Sequence, residues 1–258
     1  MLYEDLQKLA QGLSENRRSG TISSLPLDRI ETEDEALSVQ AAAMSAFAND
    51  AVGYAIVGGS PAICRSLGIE APIYGPIPAG THSLASDRPF RLPSGMIGAQ
   101  CDLVFTMGVP LGDDHQPVTR DMFCAAVLTC QPAIVLLGRR GRLSEQPRLA
   151  AIADFALHVA TLVGRRQQMP HPQAFAAMAV RASIDGTKVL DAPADGRLSD
   201  PVASAAWLVN DLIKHDGQIR AGDVISTGAL APILLQVLPD QELTVEIGEI
   251  GKVSARFA

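Results

Sequence analysis

The sequence has 258 residues, 47% of them apolar and 4% aromatic, with a formal net charge of −7. That length admits one large domain, or a main domain with a small N-terminal lobe, whose core is built from Ala, Val, Leu and Ile. The acidic balance argues against nucleic acid or an anionic membrane as the main partner.

The first predicted element is an amphipathic helix over Leu2–Arg18, where Leu2, Leu6, Leu9 and Leu13 recur at helical spacing before Gly20. Thr32-Glu33-Asp34-Glu35 is a capping box and opens an Ala-rich helix to about Asn49. A strand over Val52–Val57 turns at Gly58-Gly59-Ser60 into a short helix, Ala62–Leu67, closed by Gly68. The Pro- and Gly-rich stretch Glu70–Gly80 reads as a loop and places a boundary between residues 1–80, a helical lobe, and 81–258, a strand-rich unit. Strands follow at Pro89–Leu92, Gly98–Met107 and Ala133–Leu137, with a helix over Thr119–Leu128 between the last two. Ala151–Val163 is apolar throughout and fits helix or strand. Ala174–Ile184 and Lys188–Asp191 read as strands joined by the Asp185-Gly186 turn. A helix over Pro201–Lys214 precedes strands at Val224–Thr227, Leu243–Ile247 and Lys252–Phe257. Strands without regular βαβ alternation predict an α+β fold with a curled mixed sheet.

Cys64, Cys101, Cys124 and Cys130 form no CxxC pair and read as buried reduced thiols, which suits a cytoplasmic protein. The acidic start Tyr3-Glu4-Asp5 lacks the apolar core of a signal peptide. The uncharged run Met122–Gly138 is broken by Gln131-Pro132 and makes a poor membrane span.

Chemistry concentrates on the strand around residue 102. Side chains at i and i+2 share a strand face, so Gln100 and Asp102 set two oxygens side by side. Such a pair is half of a site for a hard divalent cation, or a solvated strand face. Arg139, Arg140 and Arg142 either bind a substrate carboxylate or form a solvated basic loop. His115 sits in an acidic turn as a base or a loop His, and His158 lies on an apolar stretch, as a core His would. Gly58-Gly59-Ser60 is an anion cradle or a plain turn.

Taken in order, a set of short motifs resembles the 2-hydroxypenta-2,4-dienoate hydratase and 4-oxalocrotonate decarboxylase family of the fumarylacetoacetate hydrolase superfamily. The resemblance runs through Gly53-Tyr54, Pro72-Ile73-Tyr74-Gly75, Gln100 to Phe105 and Ile152-Ala153-Asp154. It continues through Ala206-Trp207-Leu208, Gly222 to Gly228 and Gly248 to Val253. It implies a small N-terminal helical lobe on a curled mixed sheet or roll, a homo-oligomer, and a small-molecule carboxylic acid as substrate. It also implies a Mg²⁺ or Mn²⁺ held by two strand glutamates and a third on the next strand, with a lysine and an aspartate moving protons.

This sequence departs from that set. The glutamate positions hold Gln100, Asp102 and Val135, and the lysine and aspartate positions hold Ala55 and Ile73. An expected asparagine is Phe155, and the histidine of a His-Pro pair is Asp200. Ser226 and Thr227 fall where the family lines its pocket with a hydroxyl. The residue set predicts an apolar pocket bounded by Ala55, Ile73, Gln100, Asp102, Val135, Phe155 and Thr227, with Asp102 as the catalytic carboxylate at a raised pKa. A metal enters only if the degenerate Gln100–Asp102 pair still binds one. Two functions follow: a diverged hydratase-like lyase on a small 2-keto or 2-hydroxy-dienoic acid, or a catalytically silent binding or partner subunit.

Overall fold

The computed structural model describes residues 2–47, 50–86, 88–112, 116–142, 144–193, 199–231 and 233–258. His115 and the end of the second predicted helix lie outside them. Two helices lead. α1 (Tyr3–Ser19) has Glu4 and Asp5 in its first turn and Arg17 and Arg18 in its last, the order its dipole favours. α2 (Glu33–Phe47) starts at the capping box: the Thr32 hydroxyl accepts from the Glu35 N–H, and Glu35 reaches back to the Glu31 N–H.

The chain then runs through β1 (Ala51–Val57), α3 (Pro61–Leu67), β2 (Ile73–Pro78), β3 (His82–Leu84), β4 (Met96–Met107), α4 (Arg120–Ala126) and β5 (Val127–Gly138). Next come α5 (Pro147–Ala153), β6 (His158–Val163), β7 (Gln167–Gln168), β8 (Val180–Ile184) and β9 (Thr187–Ala192). α6 (Pro201–Lys214), β10 (Val224–Ser226), β11 (Glu242–Ile247) and β12 (Gly251–Arg256) complete it. The large sheet has the order β2-β1-β10-β4-β5-β6-β3, with β7 on β5, and the second sheet is β12-β11-β8-β9. The large sheet is mixed: β1 and β10 are parallel, as are β3 and β6, and the other pairs are antiparallel. Helices on a mixed sheet make the α+β class.

β4 is the spine of this sheet. Its odd residues Ala99, Cys101, Leu103, Phe105 and Met107 join the main core, together with α6 and the second sheet. Its even residues Gln100, Asp102, Val104 and Thr106 face the other way and are also buried. Burial on both faces explains why this segment reads as an almost continuous apolar run.

Three elements differ from expectation. Glu70–Gly80 is not a loop: Ile73–Pro78 is a buried strand at the end of the large sheet. Pro76 and Pro78 are tolerated because an end strand leaves one row of N–H groups unpaired anyway. Ala174–Ile184 is not one strand, since residues Pro172–Ala177 form 3-10 turns that start at Pro172 and β8 begins only at Val180. Pro89–Leu92 is not a ladder strand; Phe90 makes a single parallel bridge to Phe257. Ala151–Val163 proves to be both alternatives in succession, the end of α5 and then β6.

Candidate active site

The even face of β4 meets β5 and β10 in a fixed register. Gln100 lies opposite Val135, Asp102 opposite Ala133, Val104 opposite both Gln131 and Ser226, and Ala55 of β1 opposite Ser226. Asp102 is fully buried, and its carboxylate accepts hydrogen bonds from Ser226 Oγ at 2.6 Å and Thr227 Oγ1 at 3.4 Å. The segment after β10 is laced to β4, with the Thr227 N–H donating to the Leu103 carbonyl and the Leu230 N–H to the Cys101 carbonyl. Gly228 makes that path possible: its φ is 73°, and a Cβ there would sit 2.8 Å from Ile56.

Burial pushes the Asp102 carboxyl up to about 7, against donation from Ser226, the Gly228 N–H, Thr227 and Gln100. Gln100 faces this carboxylate, yet neither end of its amide makes a well-formed hydrogen bond. Further along the same face, the Gln131 amide and the Thr106 and Thr129 hydroxyls are likewise buried and unpartnered. An unmade bond at a buried polar group costs about 1–3 kcal/mol. Asp102 therefore heads a polar row inside an otherwise apolar sheet.

Tested against a divalent cation, the set does not fit. Val135 offers no donor, Gln100 offers one neutral oxygen, and Asp102 is engaged by two hydroxyls. Among the described residues no group of three His, Cys, Asp or Glu side chains is placed to hold a metal ion. Mg²⁺ requires near-octahedral oxygen coordination, which one carboxylate and one amide do not supply.

The other positions singled out in the sequence divide. Ile73, Val135 and Phe155 belong to one apolar cluster with α1, α2 and α5, and Ala55 packs with Val104, Ala133 and Val163 in another. Among the principal clefts on the described residues, Ile73 alone of the seven pocket positions lines one. Phe155, Ala156 and Leu157 all have left-handed φ, at 52°, 49° and 62°. Gly75 allows this turn to lie against β2, since a Cβ on it would be 2.8 Å from the Phe155 carbonyl. Arg17 covers Phe155 from outside, with its guanidinium carbon 4.5 Å from the ring centroid.

Arg139 lines a surface cleft rather than joining the groups bonded to Asp102. Arg140 is buried against Asp154, at 3.1 Å. Arg142 is exposed. His158 is a satisfied core His, its Nδ1 beside Arg17 and its Nε2 2.9 Å from Thr161 Oγ1. Ser60 is the N-cap of the seven-residue α3, accepting from the Ile63 N–H. Asp200, at the family's histidine position, caps α6 by accepting from the Val202 and Ala203 N–H groups and pairs with Arg120. Gln131, Arg17 and Asp154 were not singled out as site residues from the sequence. Gln131 alone had a signal, since it continues the i+2 series of Ala133 and Val135.

No protein-family model matches the chain. It is 25% identical over 198 residues to a 2-keto-4-pentenoate hydratase of Burkholderia vietnamiensis, covering 77% of this chain and 74% of that protein. Among solved structures it superposes on a 4-oxalocrotonate decarboxylase from Pseudomonas putida G7, complexed with calcium and acetate. The TM-score is 0.84 and the identity 22%, over 100% of this chain and 99% of that one. A fumarylpyruvate hydrolase from Pseudomonas aeruginosa, in complex with Mn²⁺ and pyruvate, superposes with a TM-score of 0.60 at 16% identity, over 80% and 88% of the two chains. The fold is thus that of the fumarylacetoacetate hydrolase superfamily. Its sequence is similar to that of a hydratase and its fold to that of a decarboxylase, the two activities of the family its ordered motifs resemble. Among the described residues no helix is long and apolar enough to cross a membrane.

Proposed function

We propose that the chain is a diverged lyase of the hydratase and decarboxylase kind, acting on a small 2-keto or 2-hydroxy-dienoic acid with Asp102 as its proton-transferring group. The observation that carries this reading is the buried Asp102–Ser226–Thr227 cluster, set on β4 and β10 where the family's motifs converge. Converting a dienol to its keto form places one proton and removes another. A carboxyl near neutrality is matched to both transfers. Ser226 and Thr227 hold the carboxylate in one orientation, and Gln100, buried beside it on the same strand face, carries an unused donor and acceptor. No step is routed through a metal, because the donor set does not fit one.

A specific observation supports the silent-subunit reading as well. Ile73, Val135 and Phe155, at three former polar positions, are packed into one apolar cluster. One experiment separates the two readings. Loss of dienoate absorbance is followed with purified protein, with and without Mg²⁺. Turnover abolished by Asp102→Asn supports the lyase; no turnover by the wild type on 2-hydroxypenta-2,4-dienoate and its carboxylated homologues supports the binding subunit.

A further inference from the structure

The end of α1, the segment before β4, the end of β5 and the start of β6 enclose a cleft of about 360 Å³. Arg17, Arg18, Arg91, Arg139 and Arg140 all line it, and no Asp or Glu does. Such a surplus is notable in a chain of net charge −7. Of the five arginines, only Arg140 has a carboxylate partner among the described residues, the buried Asp154. Arg17 donates to the neutral carbonyls of His158 and Val159, and Arg18 to that of Ala46. Among the described residues no ion pair or side-chain hydrogen bond engages Arg91 or Arg139.

Three of the guanidiniums, those of Arg17, Arg18 and Arg140, are held in place before any ligand arrives. Arg17 lies over the rings of Phe155 and Phe47, and Arg18 over Phe47. Arg17 Nε is buried with no partner. Burial, and then the charge of Arg140, push the Arg17 guanidinium well below its ordinary range, so an anion here relieves a repulsion already built in. The walls add Phe90, Leu92 and Val159. A concave, part-apolar cleft of this size suits a small molecule. A nucleic acid backbone would meet the repulsion of the chain's net negative charge outside the cleft.

We propose that this cleft binds a compact organic anion with an apolar body and two or more negative charges. Carboxylate and phosphate groups both match the bidentate fork of arginine. None of Gln100, Asp102, Ser226 or Thr227 lines the cleft, so this site is separate from the proposed catalytic cluster and does not depend on it.

Titration calorimetry on the full chain tests this, with isophthalate and phenyl phosphate as probes and benzyl alcohol as the uncharged control. At least one anion binds, more weakly as salt is raised, and which one binds assigns the charged group. Arg91→Gln with Arg139→Gln weakens that binding by about ten-fold or more, from the loss of two charge-assisted hydrogen bonds. Arg65→Gln, which removes one charge on α3 outside the cleft as Arg91→Gln does inside it, leaves binding as it is. Arg91 is exposed, so Arg91→Gln alone reads a smaller weakening in the same direction should the double variant melt early. The proposal is overturned if neither anion binds better than benzyl alcohol. It is equally overturned if the folded Arg91→Gln or double variant binds as tightly as the wild type.

Discussion

Replacing Asp102 by Asn removes a buried ionisable group while keeping its size and its hydrogen-bonding neighbours. The carboxyl is raised from 3.8 to about 7 in the fold. Between those values the folded chain holds a proton that the unfolded chain releases, so stability falls as pH rises through this window and levels off above about 7. About three units at 1.36 kcal/mol each give a penalty of about 4 kcal/mol for the wild type at pH 8, and about 2 kcal/mol at pH 5. Asn cannot ionise, so the variant's advantage over wild type grows by about 2 kcal/mol from pH 5 to pH 8. Urea unfolding at both pH values, followed through the single Trp207, measures the difference. Groups common to both proteins, such as the buried His158, cancel. An advantage that is equal at the two pH values, or a wild type relatively more stable at pH 8, would refute the assignment of a buried, uncompensated carboxyl.

Calorimetry with Mg²⁺ or Mn²⁺ shows no saturable micromolar site, because Val135 and Gln100 occupy two of the three ligand positions; such a site, lost in Asp102→Ala, would count against this. Gln100→Glu with Asp102→Glu and Val135→Glu gains no Mg²⁺-dependent turnover over the wild type in the dienoate assay, since Ala55 and Ile73 still supply no proton-transfer pair. Val135→Glu alone lowers stability by about 2–7 kcal/mol, because Val135 is fully buried in an apolar cluster where a carboxylate is desolvated; urea denaturation reads the loss. Gly75→Ala destabilises by about 1–3 kcal/mol, since the new methyl meets backbone atoms of Phe155 that cannot swing aside; a melting temperature equal to wild type would sink the claim that this glycine admits the left-handed turn.

Much of the fold was legible because local signals agreed with it. Thr32 and Glu35 cap a helix, the i+2 alternation of β4 separates core from polar face, and Asp185-Gly186 turns a hairpin. The failures have physical causes. β2 carries Gly75, Pro76 and Pro78, which read as loop unless its end position in the sheet is known. β5 runs through Pro132, whose carbonyl accepts from the Gly164 N–H just past β6; the ring's missing donor points to the same side, where the ladder with β6 has ended. The change from helix to strand after Ala153 passes through three left-handed residues, and no periodicity encodes such a turn. At the site, Gln100, Asp102, Ser226 and Thr227 could be found by alternation and motif order. Val135, Ile73 and Phe155 could be placed by resemblance, but only the packing showed that they join one apolar cluster. Of the arginine cleft only Arg139 and Arg140 stood out in the sequence, because distant segments build the rest of it.

The hydrogen bonds from Ser226 and Thr227 to Asp102 span 124 and 125 residues. Translation at about 5–20 residues per second leaves on the order of ten seconds between synthesis of the carboxylate and of its hydroxyl partners. During that interval β4 can pair with β5, but the opposite edge, which β10 later occupies, stays open. Asp102 remains hydrated and charged there, a gatekeeper within the apolar stretch that runs from Ala99 to Met107. The charge that burdens the finished fold would thus guard the nascent chain against edge-to-edge aggregation. Asp102→Asn, more stable once folded, would on this account be the poorer folder in the cell.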